Sequence, residues 1–254
     1  MRSLFRSRSP APPPTVEPVP TVFPKIEGAE IAAVFAGKRI AGDFYDSVRV
    51  SPERILFGLL DVAGRREETR GLLIDAQEIF RNFGAQLFSG PDINESDAMT
   101  ELSLRINRSL IETSKGVHSC PAFIGCYHEK FGTLCYSNAG HTPGLLRDSS
   151  GTTELSSTGL PLGLFSHATG NAPTIGLGTG ASLLLVSRGV IECGSLHNRS
   201  DEEFGLERVK ELLQAAPPSG AQALCVSILN TVDRFSAKVP LCDDMTALAI
   251  VRTA

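Results

Sequence analysis

The segment Ile55-Leu56-Phe57-Gly58-Leu59-Leu60 constrains this chain most tightly, because it is an apolar run with no helical period that ends on a carboxylate, Asp61. A run of this length and texture reads as a strand buried on both faces. An ionised aspartate at the end of such a strand must be hydrogen-bonded, paired or bound to a cation. A second acidic stretch, Ala41-Gly42-Asp43-Phe44-Tyr45-Asp46, lies just upstream and reads as a turn. Carboxylates that face one another repel unless positive charge lies between them. Oxygen donors of this kind suit hard divalent ions such as Mg2+ and Mn2+.

The rest of the chain is that of an ordinary globular protein. Its 254 residues, 42% hydrophobic and 20% charged, suit one domain with a sizeable core. A net charge of -4 leaves no basic footprint for nucleic acid. Six cysteines without a CxxC pair point to reduced thiols and a cytoplasmic setting. Arg2, Arg6 and Arg8 are not followed by an apolar run, so no secretory signal is expected. No stretch approaches the roughly 20 apolar residues of a membrane span. Pro10 to Pro14, with Pro18 and Pro20 behind them, make residues 1–23 a Pro-rich disordered leader, with the folded domain expected over 24–254.

Alternation over Ala29–Phe35 predicts a first strand, and Val48-Arg49-Val50 a second that turns at Ser51–Arg54 before the Ile55 strand. Arg65-Arg66-Glu67-Glu68 open a helix whose stripe is Leu73, Ala76, Phe80, Phe83 and Leu87. A further helix follows Ser96 as N-cap, with Met99, Leu102, Ile106 and Leu110 on one face. From Ala122 to Val186 short apolar runs cut by turn residues, such as Asp148-Ser149-Ser150-Gly151, predict a meander of antiparallel strands. Phe204–Ala216 and Ala221–Phe235 read as helices, and Thr246–Val251 as a closing strand. Segregation of strands from helices gives an α+β class.

Six short blocks sit along this frame: Ala41-Gly42-Asp43-Phe44-Tyr45-Asp46, Asp61-Val62-Ala63-Gly64, Asn138-Ala139-Gly140-His141, Pro161-Leu162-Gly163, Ser187-Arg188-Gly189-Val190 and Asp243-Asp244-Met245-Thr246. In this order and spacing, from about Pro24 to Val251, the sequence resembles the PPM metal-dependent protein phosphatases, in their bacterial SpoIIE-like branch. No single block is specific; six in order are. The resemblance implies an α-β-β-α sandwich of two antiparallel sheets flanked by helix pairs. It implies hydrolysis of phosphoserine or phosphothreonine by a water held between two Mn2+ or Mg2+ ions. The implied substrate class is a phosphorylated STAS-type anti-anti-sigma protein in a partner-switching pathway. Carried over residue by residue, Asp61 matches the bridging ligand, and the Val62 carbonyl completes the shell of one metal. Asp43 matches an acidic ligand of that same metal, Asp243 a ligand of the other, and Asp244 falls where many relatives have Asn.

The departures are as informative. Arg188 replaces the Asp of Ser-Asp-Gly, a ligand of the metal that Asp243 also holds. A guanidinium cannot ligate a cation but pairs well with carboxylates. Arg65-Arg66 replace His-Gly after Gly64, and Ala41 the first Gly of Gly-Gly-Asp. Arg65 then reads either as a solvated first-turn residue or as a contact for a substrate phosphate. His141 reads as a general acid or as a loop-ordering histidine. The expected arrangement joins Asp43, Asp61 and Asp243 at one end of the sandwich. Arg188 stands there in place of one ion, leaving a single site made by Asp43, Asp61 and the Val62 carbonyl.

Two rivals remain at this point. Cys193-Gly194-Ser195-Leu196-His197-Asn198-Arg199-Ser200 fits the Cys-x5-Arg-Ser pattern of cysteine-dependent phosphatases, but lacks the preceding His. The other is a pseudophosphatase that keeps the fold and binds a partner without turning it over, for which Arg188 is the discriminating residue.

Overall fold

The computed structural model describes residues 17–37, 42–113, 119–166, 170–194, 202–236 and 243–254. In chain order its elements are β1 (Ala29–Ala36), β2 (Gly42–Arg49), β3 (Arg54–Val62), α1 (Arg66–Phe88), α2 (Glu95–Thr113), β4 (Ala122–His128), β5 (Thr133–Ala139), β6 (Gly144–Asp148) and β7 (Gly151–Leu155). There follow β8 (Thr174–Gly176), β9 (Ser182–Val186), α3 (Arg188–Ile191), α4 (Leu206–Ala215), α5 (Ala221–Ser236) and β10 (Met245–Arg252). The strands form two five-stranded sheets, ordered β1-β10-β9-β6-β7 and β2-β3-β4-β5-β8. All strand pairs in both are antiparallel.

The apolar run becomes β3, whose nine residues are all buried. Its lack of alternation has a direct cause, since both faces are covered. Ile55, Phe57 and Leu59 point into the layer between the sheets, where they meet Leu183, Leu185 and Ile250 of the opposite sheet. Leu56, Leu60 and Val62 point the other way, under Leu73 and Phe80 of α1 and Met99 of α2. On the far side α4 and α5 cover the first sheet through Val209, Leu213, Leu224 and Ile228. The layers are therefore helix, sheet, sheet, helix, as the family resemblance implied.

Three local expectations need correction. The stretch Gly42–Asp46 is not a turn but the first part of β2, paired with β3 from Gly42↔Val62 through Arg49↔Ile55. Its inward positions carry polar residues, which hides the period of two; Ala41 lies outside the described residues. The cap of α2 is Asn94, whose Oδ1 accepts from the main-chain N–H of Ser96 and Asp97 at 3.1 and 3.3 Å, so Ser96 lies inside the helix. The strands between Ala122 and Val186 are not one meander: β4, β5 and β8 join the second sheet, β6, β7 and β9 the first. Contacts with the folded body also reach residues before Pro24. Thr21 Oγ1 donates to the Tyr45 carbonyl and to Asp46 Oδ1 at 2.9 and 3.0 Å, and the Phe23 ring stacks on Tyr45. Pro10 to Pro14 lie outside the described residues.

Candidate metal centre

The stripe of β3 that fills the layer between the sheets, Ile55, Phe57 and Leu59, has Asp61 as its next member. Apolar packing stops there, and the sandwich opens at this end. Asp43 lies directly opposite Asp61 in the ladder of β2 and β3. Both side chains are buried, at 8% and 6% exposure. From the other sheet, Thr246 at the start of β10 donates its hydroxyl to Asp43 Oδ2 at 2.7 Å. Ser187, at the end of β9, ties that strand to β10: its N–H donates to the Thr246 carbonyl and its Oγ accepts from the Thr246 N–H.

Arg188 opens α3 immediately after Ser187. Its Nε lies 3.8 Å from Asp61 Oδ2 and its Nη2 3.9 Å from Asp243 Oδ2. Glu192, one turn on, is a third acidic neighbour at 3.7 Å. All three separations exceed hydrogen-bond length, so the half-exposed guanidinium is placed by charge and not locked by any one partner. Asp243 Oδ1 accepts from the Asp244 N–H at 2.8 Å, which leaves its other oxygen facing Arg188. Asp244 itself is buried beneath this turn. Its carbonyl lies so near Gly189 that any Cβ there would collide with it.

The electrostatics are lopsided. Burial, then the neighbouring Asp61, pushes the Asp43 carboxyl up to about 7 despite its hydrogen bonds from Ser187 and Thr246. Burial also raises Asp61, but there Arg188 opposes the rise. Among the described residues, then, the guanidinium compensates the Asp61 and Asp243 side of the cluster and no cation is paired with Asp43.

One half of this arrangement offers the donors that could hold a divalent ion. Asp43, Asp61 and the Val62 carbonyl are hard oxygen donors on adjacent strands. Gly42 packs so closely over Val62 that a Cβ would strike the carbonyl oxygen, so only glycine allows β2 to approach here. The other half, between Asp61 and Asp243, is spanned by Arg188. Among the described residues no group of three or more His, Cys, Asp or Glu side chains is arranged to hold a metal. Asp43, Asp61 and Asp243 do gather at one end of the sandwich, but not as a ready three-carboxylate cage.

The remaining sequence candidates fall outside the cluster. Arg65 is exposed, and its carbonyl accepts from the N–H groups of Glu68 and Thr69 in the first turn of α1. His141 is buried and pushed down to about 4 by that burial, hence neutral near pH 7. Its N–H donates to Asn138 Oδ1 and its Nδ1 contacts Thr142, whose hydroxyl donates to the Val186 carbonyl. This is the loop-ordering arrangement. Cys193 is half-buried, while Ser195 to Ser200 with Arg199 lie outside the described residues.

Sequence reasoning missed three contributors. Thr246 closes the last block and was in plain view; Glu192 has no signal until α3 exists. Asp46, the second acid of its block, faces α1, where Arg81 grips it through two bonds of 2.7 and 2.9 Å and Gln77 adds a third.

Comparison with known proteins agrees with this geometry. The family model described as Stage II sporulation protein E (SpoIIE) matches residues 51–253. This chain belongs to the SpoIIE family. Among SpoIIE-like relatives, Protein IcfG of Synechocystis sp. is 24% identical over 254 residues, covering 92% of this chain and 39% of its own length. Phosphoserine phosphatase RsbP of Bacillus subtilis is 25% identical over 158 residues, covering 62% of this chain and 38% of its own. The chain thus spans under two fifths of the length of these relatives. The solved RsbU and RsbW domains of Rv1364c from Mycobacterium tuberculosis superpose with a TM-score of 0.73 at 23% identity, covering 91% of this chain and 63% of that one. The sandwich described above is accordingly the SpoIIE-like PPM phosphatase fold.

Proposed function

We propose that the chain is a metal-dependent phosphatase of phosphoserine or phosphothreonine on a regulatory protein, working from one divalent site and attenuated by Arg188. The observation that carries this reading is the cross-strand pair Asp43 and Asp61 beside the Val62 carbonyl, with a guanidinium spanning Asp61 and Asp243. Asp43, Asp61 and Val62 would hold Mn2+ or Mg2+, with Asp243 reserved for a second ion that Arg188 keeps out. When bound, such an ion supplies Lewis-acid charge to phosphoryl oxygens and lowers the pKa of water.

The chain's own residues do the remaining work. Thr246 and Ser187 fix the orientation of the Asp43 carboxyl, and Gly42 leaves room for the Val62 carbonyl beside it. Arg188, half-exposed at the mouth, is the available partner for phosphoryl oxygens, to which a guanidinium binds in bidentate fashion. Residues 24–254 form the phosphatase domain in this reading, preceded by the Pro-rich leader. The description of RsbP as a phosphoserine phosphatase favours phosphoserine as the group removed, and the family resemblance favours a phosphorylated STAS-type anti-anti-sigma protein as partner, in partner-switching signalling. Free thiols at Cys120, Cys126, Cys135, Cys193 and Cys225 support a cytoplasmic setting. Among the described residues no helix is long and apolar enough to cross a membrane.

Arg188 also supports a second reading, a phosphoprotein-binding module without turnover. Release of phosphate from a phosphoserine peptide, with Mn2+ and with EDTA, separates the alternatives. Slow, EDTA-sensitive release supports the attenuated enzyme, and binding without release supports the module. Release that persists in EDTA but disappears in Cys193→Ser would transfer the chemistry to the cysteine.

A further inference from the structure

The ladder between β6 and β9 runs only from Leu145↔Leu184 to Arg147↔Ser182, because β6 begins at Gly144. Val186, the last residue of β9, is buried and lies beyond that ladder. A buried carbonyl must still find a donor, and for Val186 the Thr142 hydroxyl supplies it. With its one proton directed at Val186, that hydroxyl can only accept from His141 Nδ1, 3.0 Å away. The same Nδ1 faces the Thr142 carbonyl at 3.1 Å, and a carbonyl accepts only, which assigns the proton to Nδ1. His141 is held in turn by Asn138, whose Oδ1 accepts from the His141 N–H at 2.9 Å and whose Nδ2 donates to the Leu155 carbonyl at 3.1 Å. The block Asn138–His141 thus fastens Thr142, and Thr142 fastens the end of β9.

One residue on, Ser187 carries the line of bonds to the candidate metal ligand. Its N–H donates to the Thr246 carbonyl at 2.9 Å and its Oγ accepts from the Thr246 N–H at 3.0 Å. The hydroxyls of both residues hydrogen-bond the Asp43 carboxyl, that of Thr246 at 2.7 Å. Asn138, His141, Ser187 and Thr246 are all buried. A shift of the end of β9 against β10 would move both hydroxyls relative to Asp43 together, so the anchor at the Val186 carbonyl bears on that carboxylate from a distance.

We propose that Thr142, oriented by His141, is a positioning residue for the divalent site: it fixes the Val186 carbonyl, and through it the Ser187 and Thr246 hydroxyls that orient the Asp43 carboxylate. The proposal rests on the metal-site reading above and gives a role at that site to Asn138-Ala139-Gly140-His141, a block that supplies none of its ligands.

The test uses the full chain and three substitutions. Thr142→Val keeps the shape of the side chain and removes the hydroxyl, whereas Thr142→Ser keeps the hydroxyl. Titration calorimetry should show Mn2+ bound about tenfold more weakly by Thr142→Val, the low end for losing a group that orients a metal ligand, and within about twofold of the wild type by Thr142→Ser. Amide hydrogen exchange in EDTA, followed by NMR, should be faster at Ser187 and Thr246 in Thr142→Val and unchanged in Thr142→Ser. Ile55→Val removes a methylene at the far end of β3, so it controls for a general loss of stability and should leave Mn2+ affinity as it is. Thermal unfolding of each variant reports whether the fold is kept, and Thr142→Ala takes the place of Thr142→Val if that variant does not fold. Wild-type Mn2+ affinity in folded Thr142→Val, or an equal loss in Thr142→Ser, overturns the proposal. A wild type that binds no Mn2+ counts against the metal-site reading alone, because exchange still decides whether Thr142 holds Ser187, and unchanged rates in Thr142→Val overturn that link.

Discussion

Replacing Arg188 by aspartate should convert a one-ion site into a two-ion site, and the structure gives the size of the accompanying change in stability. Arg188 lies 3.8 and 3.9 Å from oxygens of Asp61 and Asp243. Two unit charges at about 4 Å are worth roughly 1 kcal/mol in water and roughly 4 at an effective dielectric constant of 20. With its side chain 50% exposed, each contact belongs near the lower figure, on the order of 1 kcal/mol. Removing both and adding a like charge should cost the metal-free protein about 2 kcal/mol, or about 4–8 °C in Tm for a chain of this size. In Mn2+ the variant should regain that loss, since saturation at about 100 times Kd stabilises by about 2.7 kcal/mol per site. Calorimetric unfolding in EDTA and in Mn2+ reads the stability, and titration calorimetry counts ions. Hydrolysis of p-nitrophenyl phosphate should rise by about 10²-fold, the effect of restoring one electrostatic stabiliser to a transition state. Two ions and rapid turnover in the wild type would refute the reasoning, as would an Asp variant that gains neither an ion nor activity.

Three further outcomes follow from the geometry. Arg81→Met strips a nearly fully buried Asp46 of its bidentate partner and should cost about 3 kcal/mol, the low end for breaking a buried pair, because Arg81 is 29% exposed; urea unfolding should show most of this recovered in Asp46→Asn/Arg81→Met, and additive losses would contradict the pairing. Gly42→Ala should weaken Mn2+ binding by about tenfold or more, as β2 retreats from the Val62 carbonyl; unchanged affinity by titration calorimetry would show that the carbonyl is no ligand. Arg49 holds the Glu129 carboxyl below its ordinary 4.5, so the pair stabilises the fold above that pH and loses its contribution as pH falls through the lowered value. Glu129→Gln should therefore lower the urea midpoint at pH 7, and by progressively less as the pH is taken down below 4.5.

How much of this was legible in the sequence depended on where each residue's partner lies. Ile55 to Leu60 and Asp61 could be read directly, because burial on both faces leaves an unbroken apolar run that stops at the carboxylate. Asp43 was recognised as a candidate yet placed in a turn, since Gly42, Asp43 and Asp46 are turn-forming types and the apolar alternation of β2 is masked by polar side chains at buried positions. Asp46 reads like another acid of the cluster, and only the fold shows that it faces Arg81, 35 residues along the chain. The contacts of residues 17–23 were invisible for a related reason: their prolines signal a solvated tail, while the side chain of Gln77 answers the Val19 main chain and Thr21 and Phe23 reach Tyr45 and Asp46. Arg188 could be predicted to face carboxylates from its charge and its place in a block, whereas Glu192 needed a four-residue helix that no period announces.

The hydrogen bond between Thr246 and Asp43 joins residues 203 positions apart, and the strand that carries Thr246 lies between β1 and β9 in its sheet. During synthesis the chain therefore makes Asp43 and Asp61 long before their counterpart from the opposite sheet. Until β10 leaves the ribosome, β1 has no neighbour in its sheet and the mouth of the sandwich lacks Asp243 and Thr246. A nascent chain that stops short of Asp243 and β10 carries Asp43 and Asp61 without Asp243 or Thr246. The arrival of β10 is what brings the two sheets' contributions to this end of the sandwich together.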